Sequence, residues 1–132
     1  MSMLSVAQAA HFLAVSDDTV RRWIASGRLE STTTASGHTV VAGLELAQLI
    51  KNNAVAPEDP TGVASSARNR WVGLVTAVTS DTVMSQVEMQ CGPYRVVSLM
   101  STEAVRDLGL EPGSVATAVV KSTNVVVEVP GA

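Results

Sequence analysis

The sequence predicts an α+β chain of two modules, a small helical domain followed by a small β-barrel, and three observations carry that prediction. Apolar residues recur at helical spacing up to about residue 50 and at alternate positions from Trp71 onward, and between the two regimes lies a stretch with no period at all. A length of 132 residues accommodates two such domains, and an apolar content of 46% supplies a core for each.

In "SVAQAAHFL" the residues Val6, Ala9, Ala10 and Leu13 stand at i, i+3, i+4 and i+7, the stripe of a short amphipathic helix with Ser5 as its cap. "AVS" breaks that helix. Ser16 caps a second one, Asp17 and Asp18 favour its positive end, and Val20, Trp23 and Ile24 continue an apolar face until Gly27 stops it. "LESTTTASGHTVVA" is rich in β-branched residues around Ser36 and Gly37, which predicts a short hairpin or wing, and "LELAQLIK" closes the module as a third helix.

Residues 52–65, "NNAVAPEDPTGVAS", mix Asn, Pro, Gly and acid without a period and read as a flexible linker. A coil of that length spans roughly 20 Å root mean square. From Trp71 the runs "VGLVTAVT", "VMSQVEMQC", "YRVVSLM", "SVATAVVK" and "VVVEV" read as five strands, with "STEAVRDLGL" as one helix between the third and fourth. Five short strands and a helix suit a small barrel of the oligonucleotide/oligosaccharide-binding (OB) type.

Composition removes several classes of function. No apolar run reaches the roughly 18 to 20 residues of a membrane span, and the start "MSMLSVAQAAHFLAV" lacks an export pattern, so a cytoplasmic protein with no membrane partner is expected. Cys91 is the single cysteine, and neither a disulfide nor a metal site is expected. No nucleophile, base and orienting group occur together and no Gly-rich phosphate loop is present, so an enzyme is not expected. Residues 1–51 balance Arg21, Arg22, Arg28 and Lys51 against Asp17, Asp18, Glu30 and Glu45, so bulk charge gives no argument for nucleic acid and local geometry must supply one.

That geometry is suggested by "AVSDDTVRRWIASGRL" followed by an "SGH" tip. Together they resemble the winged helix-turn-helix of the MerR and excisionase group, over nearly all of residues 4–50 of a domain spanning 1–51. The second helix presents Asp18, Thr19, Arg21 and Arg22 away from its apolar face, toward a major groove or its phosphates in double-stranded DNA. The wing adds Thr33, Ser36 and His38 as backbone contacts. The resemblance departs at Thr39, where that group usually has a basic residue. The competing reading makes Arg21 and Arg22 a solvated face paired with Asp17 and Asp18.

The second half opens on "SARN", carries a hydroxyl residue before a helix ending in "LGL", then an "EPG" turn, and ends on "KS" before an apolar run. These motifs, in this order, resemble the Mop domain of molbindins and of molybdate-dependent regulators, within a domain spanning 66–130. The resemblance implies an oxyanion site for molybdate or tungstate made from Ser66, Arg68, Ser101, Lys121 and Ser122. Such tetrahedral dianions have oxygens that only accept hydrogen bonds, so a site needs several converging donors and about two positive charges nearby, and no metal ligand. Arg68 and Lys121 supply the charges, and Ser101 stands where a helix begins. Taken singly, Ser101 is equally an ordinary helix cap and Lys121 an edge-strand charge. Arg70 and Arg95 have no place in that set. In the resembling proteins the sites lie between paired units, which implies a homo-oligomer, a dimer or a hexamer.

The expectation from both halves is a molybdate- or tungstate-responsive transcriptional regulator. The alternative is an intracellular molybdate storage protein whose helix-turn-helix serves assembly, and a third reading is a DNA-architectural protein whose barrel only oligomerises.

Overall fold

A computed structural model describes residues 2–131, which divide after Val55 into two compact units. In the first unit, β1 (Met3–Ser5) leads into α1 (Val6–Leu13), α2 (Asp17–Ala25), the short strands β2 (Thr32–Thr33) and β3 (Thr39–Ala42), and α3 (Gly43–Asn53). Ser5 and Gln8 form a reciprocal capping box at the start of α1: the Ser5 hydroxyl accepts the Gln8 N–H at 3.1 Å and Gln8 Oε1 accepts the Ser5 N–H at 2.9 Å. The chain leaves α1 through Ala14, a non-glycine residue with positive φ (56°), whose N–H satisfies the last carbonyls of the helix. Ser16 then caps α2 by accepting from Thr19 N–H. Val6, Ala9, Ala10, Val20, Leu29, Val41 and Leu46 make the core, with Trp23 and Ile24 packed against it.

One element of this unit lay beyond the periodicity. Met3–Ser5, of which only Ser5 was read, as a helix cap, pairs with Val40–Ala42, so the sheet order is β1-β3-β2. Three residues carry too little pattern to be recognised as a strand.

The second unit holds β4 (Asn69–Ser80), β5 (Met84–Cys91), β6 (Tyr94–Ser101), α4 (Thr102–Leu108) and β7 (Val115–Val120), in the sheet order β6-β5-β4-β7 with every neighbour antiparallel. The curled sheet and single helix are the OB-like architecture expected, and with the helical first unit the chain is α+β. Strand β4 is shared: Asn69–Leu74 pair with β7 and Leu74–Ser80 pair with β5, with a bulge between Val75 and Ala77 at the handover. Val75, Val87, Met89, Cys91 and Val105 form its core.

The expected fifth strand is not there. After Val120 the chain makes a single 3-10 turn at Ser122–Asn124, and Val125–Val129 continue without a ladder; Val126, Val127 and Val129 are each at least 80% exposed. Strand propensity is local, whereas a strand exists only where an edge accepts it, and within this chain none does.

The stretch read as linker is not free along its whole length. Helix α3 runs through Asn53, and Asp59 docks on the second unit, accepting from Arg70 Nε at 2.9 Å and from the Thr117 hydroxyl at 3.2 Å while also accepting the Thr61 N–H and hydroxyl. Arg70 is thereby assigned a structural partner, and Arg95 finds one in Glu88 at 2.8 Å. The Thr61 backbone and side-chain hydrogen bonds, with smaller help from Arg70 and Thr117, bring the Asp59 carboxyl down from its ordinary 3.8 to about 2.

Two tests follow from this packing. A Cβ on Gly73 would collide with the Gln90 carbonyl and lie 2.6 Å from Cys91 Sγ, so Gly73→Ala is expected to cost about 1–3 kcal/mol in urea unfolding of the second unit. Because the carbonyl is backbone, Cys91→Ala should not rescue it; rescue would show that the sulfur alone sets the constraint. For Asp59, the depressed value means its docking contribution is present above about pH 4 and is lost as the pH falls toward 2. Protection of the Thr61 amide, measured against its intrinsic exchange rate at each pH, should fall across that window in the wild type and be already low, without a step there, in Asp59→Asn.

Candidate functional site

The motif "SARN" has a separate job for each residue. Ala67 is buried at 8% exposure and its N–H is held by the Ser65 hydroxyl at 3.1 Å, which fixes the backbone and leaves the flanking Ser66 and Arg68 exposed. Asn69 Nδ2 donates to the Val120 carbonyl at 3.2 Å and so locks the end of the β4–β7 ladder. The last registered pair is Asn69 with Val120, so Arg68 and Lys121 are the first residues beyond it on the two segments, with Ser66 and Ser122 further along. Four of the five expected oxyanion residues therefore gather at one end of one ladder. Among the described residues neither Arg68 nor Lys121 makes an ion pair, whereas Arg70 is neutralised by Asp59. Two cations with no carboxylate partner at one end of a ladder favour an anion nearby.

Ser101 is not part of that group. It pairs with Met84 at the far end of β5, and the neighbouring Ser85 pairs with Ser80, the opposite end of β4 from Asn69. At about 3.3 Å per residue, the contour of β4 between its two ends is roughly 36 Å. Ser101 caps α4, its hydroxyl oxygen accepting the Ala104 N–H at 3.0 Å; its proton remains available to an acceptor.

Next to Ser101, at Thr102, ends a chain of hydroxyls that sequence reasoning missed. Ser80 and Ser85 Oγ lie 2.6 Å apart, Ser85 Oγ and Thr102 Oγ1 2.8 Å apart, and Thr102 Oγ1 donates to the Asp81 carbonyl at 2.8 Å. Ser85 is 1% exposed, and this chain satisfies a hydroxyl that would otherwise be costly to bury. Asp81 completes the corner: accepting the Met84 and then the Val83 N–H holds its carboxyl below the ordinary 3.8. The signal was present in the alternation, since Ser85 has the same parity as buried Val87, Met89 and Cys91.

In the first unit, Asp18, Arg21 and Arg22 are exposed on α2, and Thr19 is half-buried. The Arg22 guanidinium donates to Thr19 Oγ1 at 3.0 Å, and among the described residues neither arginine pairs with Asp17 or Asp18, against the solvated ion-pair reading. Arg21 and His38 line one shallow groove with Ser5, Asp17 and Gly37, which brings the helix and the wing together. Thr34, unnoticed in the sequence, builds the wing tip: its hydroxyl bonds the Ser36 hydroxyl at 3.0 Å and accepts the His38 N–H at 3.1 Å, and its own N–H reaches the His38 carbonyl. Gly37, at φ 87°, supplies the left-handed residue this tip requires. Thr33 pairs with Thr39 at the base. Trp23 is covered on one face by Arg28, 4.5 Å from the ring centroid. A hydrogen bond with Glu30, with burial and mutual repulsion adding to it, raises the Glu45 carboxyl above its ordinary 4.5.

Among the described residues no helix is long and apolar enough to cross a membrane, and no three His, Cys, Asp or Glu side chains are grouped to hold a metal ion.

Comparison with known proteins places both units. Residues 65–127 match the TOBE domain and residues 3–54 match a helix-turn-helix domain. "Molybdenum-pterin-binding protein 3" of Clostridium pasteurianum is 40% identical over 63 residues, 47% of this chain and 93% of that protein, and "Molybdenum-pterin-binding protein 2" of the same organism is 36% identical over the same shares. Among solved structures, the cytoplasmic molybdate-binding protein ModG, in a form with molybdate bound, is 37% identical, with a TM-score of 0.51 over 55% of this chain and 52% of that one. The chain belongs to the TOBE (Mop) family through its second unit, which follows an excisionase-type helix-turn-helix domain.

Proposed function

We propose that this chain is an oxyanion-responsive transcriptional regulator that binds molybdate or tungstate through its Mop domain and double-stranded DNA through its helix-turn-helix. The carrying observation is the gathering of Arg68, Lys121, Ser66 and Ser122 at the open end of the β4–β7 ladder, in a chain that also carries a helix-turn-helix. Arg68 and Lys121 provide the charge, the serine hydroxyls the remaining donors, and no side chain touches the metal atom itself. Ser101, held at the other end of β4, belongs to such a site only if another subunit presents it, which is why the reading includes a homo-oligomer, a dimer or a hexamer. The protein acts as a binding protein in the cytoplasm and not as an enzyme.

On the DNA side, Arg21 and Arg22 reach toward the major groove and the wing residues Thr33, Ser36 and His38 toward the phosphate backbone, with Asp18 and Thr19 at the base edges. The storage reading keeps one observation in its favour: the curated relatives are matched over 93% of their length by half of this chain, so that half has counterparts that stand alone.

Calorimetric titration with molybdate, tungstate and sulfate tests the oxyanion half. Arg68→Ala and Lys121→Ala are each expected to weaken binding by about 1.5–3 kcal/mol with unchanged circular dichroism, and wild-type affinity in both would remove the site. In a gel-shift assay with promoter DNA, Arg22→Ala should lose about 1–3 kcal/mol of retention while its oxyanion titration stays that of the wild type. If the wild type retains no DNA in any ligand state, the storage reading replaces the regulator.

A further inference from the structure

Arg68, Arg70 and Lys121 all lie toward the open end of the β4–β7 ladder, and Arg70 is already occupied by the chain itself. Its Nε donates to Asp59 Oδ2 at 2.9 Å and its Nη2 to the Thr61 hydroxyl at 2.9 Å, while the Thr117 hydroxyl donates to Asp59 Oδ1 at 3.2 Å. Arg70 is registered with Val119 and Thr117 with Val72, so the two groups that hold the carboxylate share one face of the ladder. Arg68 is two residues from Arg70, about 7 Å of extended chain, and Lys121 two residues beyond Val119. An anion held by Arg68 and Lys121 therefore stands on the order of one screening length from the Asp59 carboxylate, roughly 8 Å at physiological ionic strength.

The same carboxylate sets how much of the linker is free. Of residues 56–64 only Asp59 is not exposed, and among the described residues the hydrogen bonds that join this stretch to the sheet are those three. With Asp59 docked, residues 54–58 alone separate the end of α3 from the first held point, a coil of about 12 Å root mean square. With Asp59 released, the first held point is the hydrogen bond of Ser65 with Ala67, and the coil is residues 54–64, about 18 Å.

We infer that the oxyanion and the Asp59 clamp oppose one another: a dianion at Arg68 and Lys121 repels the Asp59 carboxylate and draws on Arg70, so ligand binding loosens the clamp and lengthens the tether that carries the helix-turn-helix unit. Arg70 can respond, because a guanidinium has donors beyond the pair that Asp59 and Thr61 take. Coupling of this kind is reciprocal: the factor by which the ligand weakens the clamp is the factor by which the clamp weakens the ligand. The clamp is thus an internal anion that the ligand must displace, and the reach of the DNA-reading unit follows whether the ligand is bound. The inference rests on the oxyanion site of the reading above and adds Asp59 to it as the regulating group.

The test uses the full-length chain at low ionic strength. Calorimetric titration with molybdate should give Asp59→Asn an affinity about five- to tenfold above the wild type. Thr117→Val, which removes one donor from the clamp and no charge, should tighten binding by a smaller factor. Glu88→Gln is the control: it takes one negative charge from the Arg95 pair and should leave the affinity unchanged. In the wild type, saturating molybdate should lower the protection of the Thr61 amide, which Asp59 Oδ1 holds at 3.0 Å. If Asp59→Asn loses its circular dichroism, Thr117→Val and the wild-type exchange decide alone. Wild-type affinity in the clamp variants with unchanged Thr61 protection overturns the clamp and leaves the oxyanion site standing. Protection that rises with molybdate overturns it by sign, and a Glu88→Gln gain equal to that of Asp59→Asn overturns it as an effect of net charge. A wild type and an Asp59→Asn chain that both fail to bind molybdate and tungstate overturn the site itself, and the clamp's role with it.

Discussion

The second unit depends on one strand being divided between two partners. Leu74 is the pivot of β4, registered with Val115 of β7 on one side and Gln90 of β5 on the other. Beside it Gly73 has no side chain, because the Gln90 carbonyl and the Cys91 sulfur occupy the space one would need. This handover curls the sheet, leaves β6 and β7 as its edges, and sends Arg68 and Ser101 to opposite extremities. The placement of the candidate ligands is thus a consequence of hydrogen-bond register before it is a matter of side-chain chemistry.

The change from helical to alternating period was legible because burial imposes it residue by residue: Val6, Ala9 and Ala10 on α1, and Val87, Met89 and Cys91 on β5, are all buried as the pattern requires. "SARN" and "KS" were legible as motifs, and register sets them together. What escaped depended on partners distant in sequence. Nothing local announces that Asp59 will bind Arg70 and Thr117, that Met3–Ser5 will find β3, or that "VVVEV" will have no edge to join. The distance of Ser101 from Arg68 is likewise set by topology, which no motif spacing records.

Charge in the second unit is sorted by the same geometry. Arg70 and Arg95 are neutralised by Asp59 and Glu88, and the Arg95 guanidinium, then the Thr76 hydroxyl, hold the Glu88 carboxyl below its ordinary 4.5. At the open end of the β4–β7 ladder, Arg68 and Lys121 lack such partners among the described residues. The cations held by carboxylates brace the fold, and the uncommitted pair is the one on which the proposed oxyanion site draws. In the first unit Arg28 is drawn onto Trp23, while Arg21 stays in the groove shared with the wing.

The bare "VVVEV" segment also shapes the life of the polypeptide before it reaches its working state. A run of β-branched residues exposed in solvent is the sort of sequence that stacks with its own kind into fibrillar aggregates. Here Glu128 interrupts the run with a charge and Pro130 follows it with a residue that cannot donate to a ladder, two features that discourage indefinite stacking. A freshly made chain therefore presents chaperones and proteases with an apolar handle, and its solubility during synthesis turns on how well that charge and that proline keep the handle from its own kind.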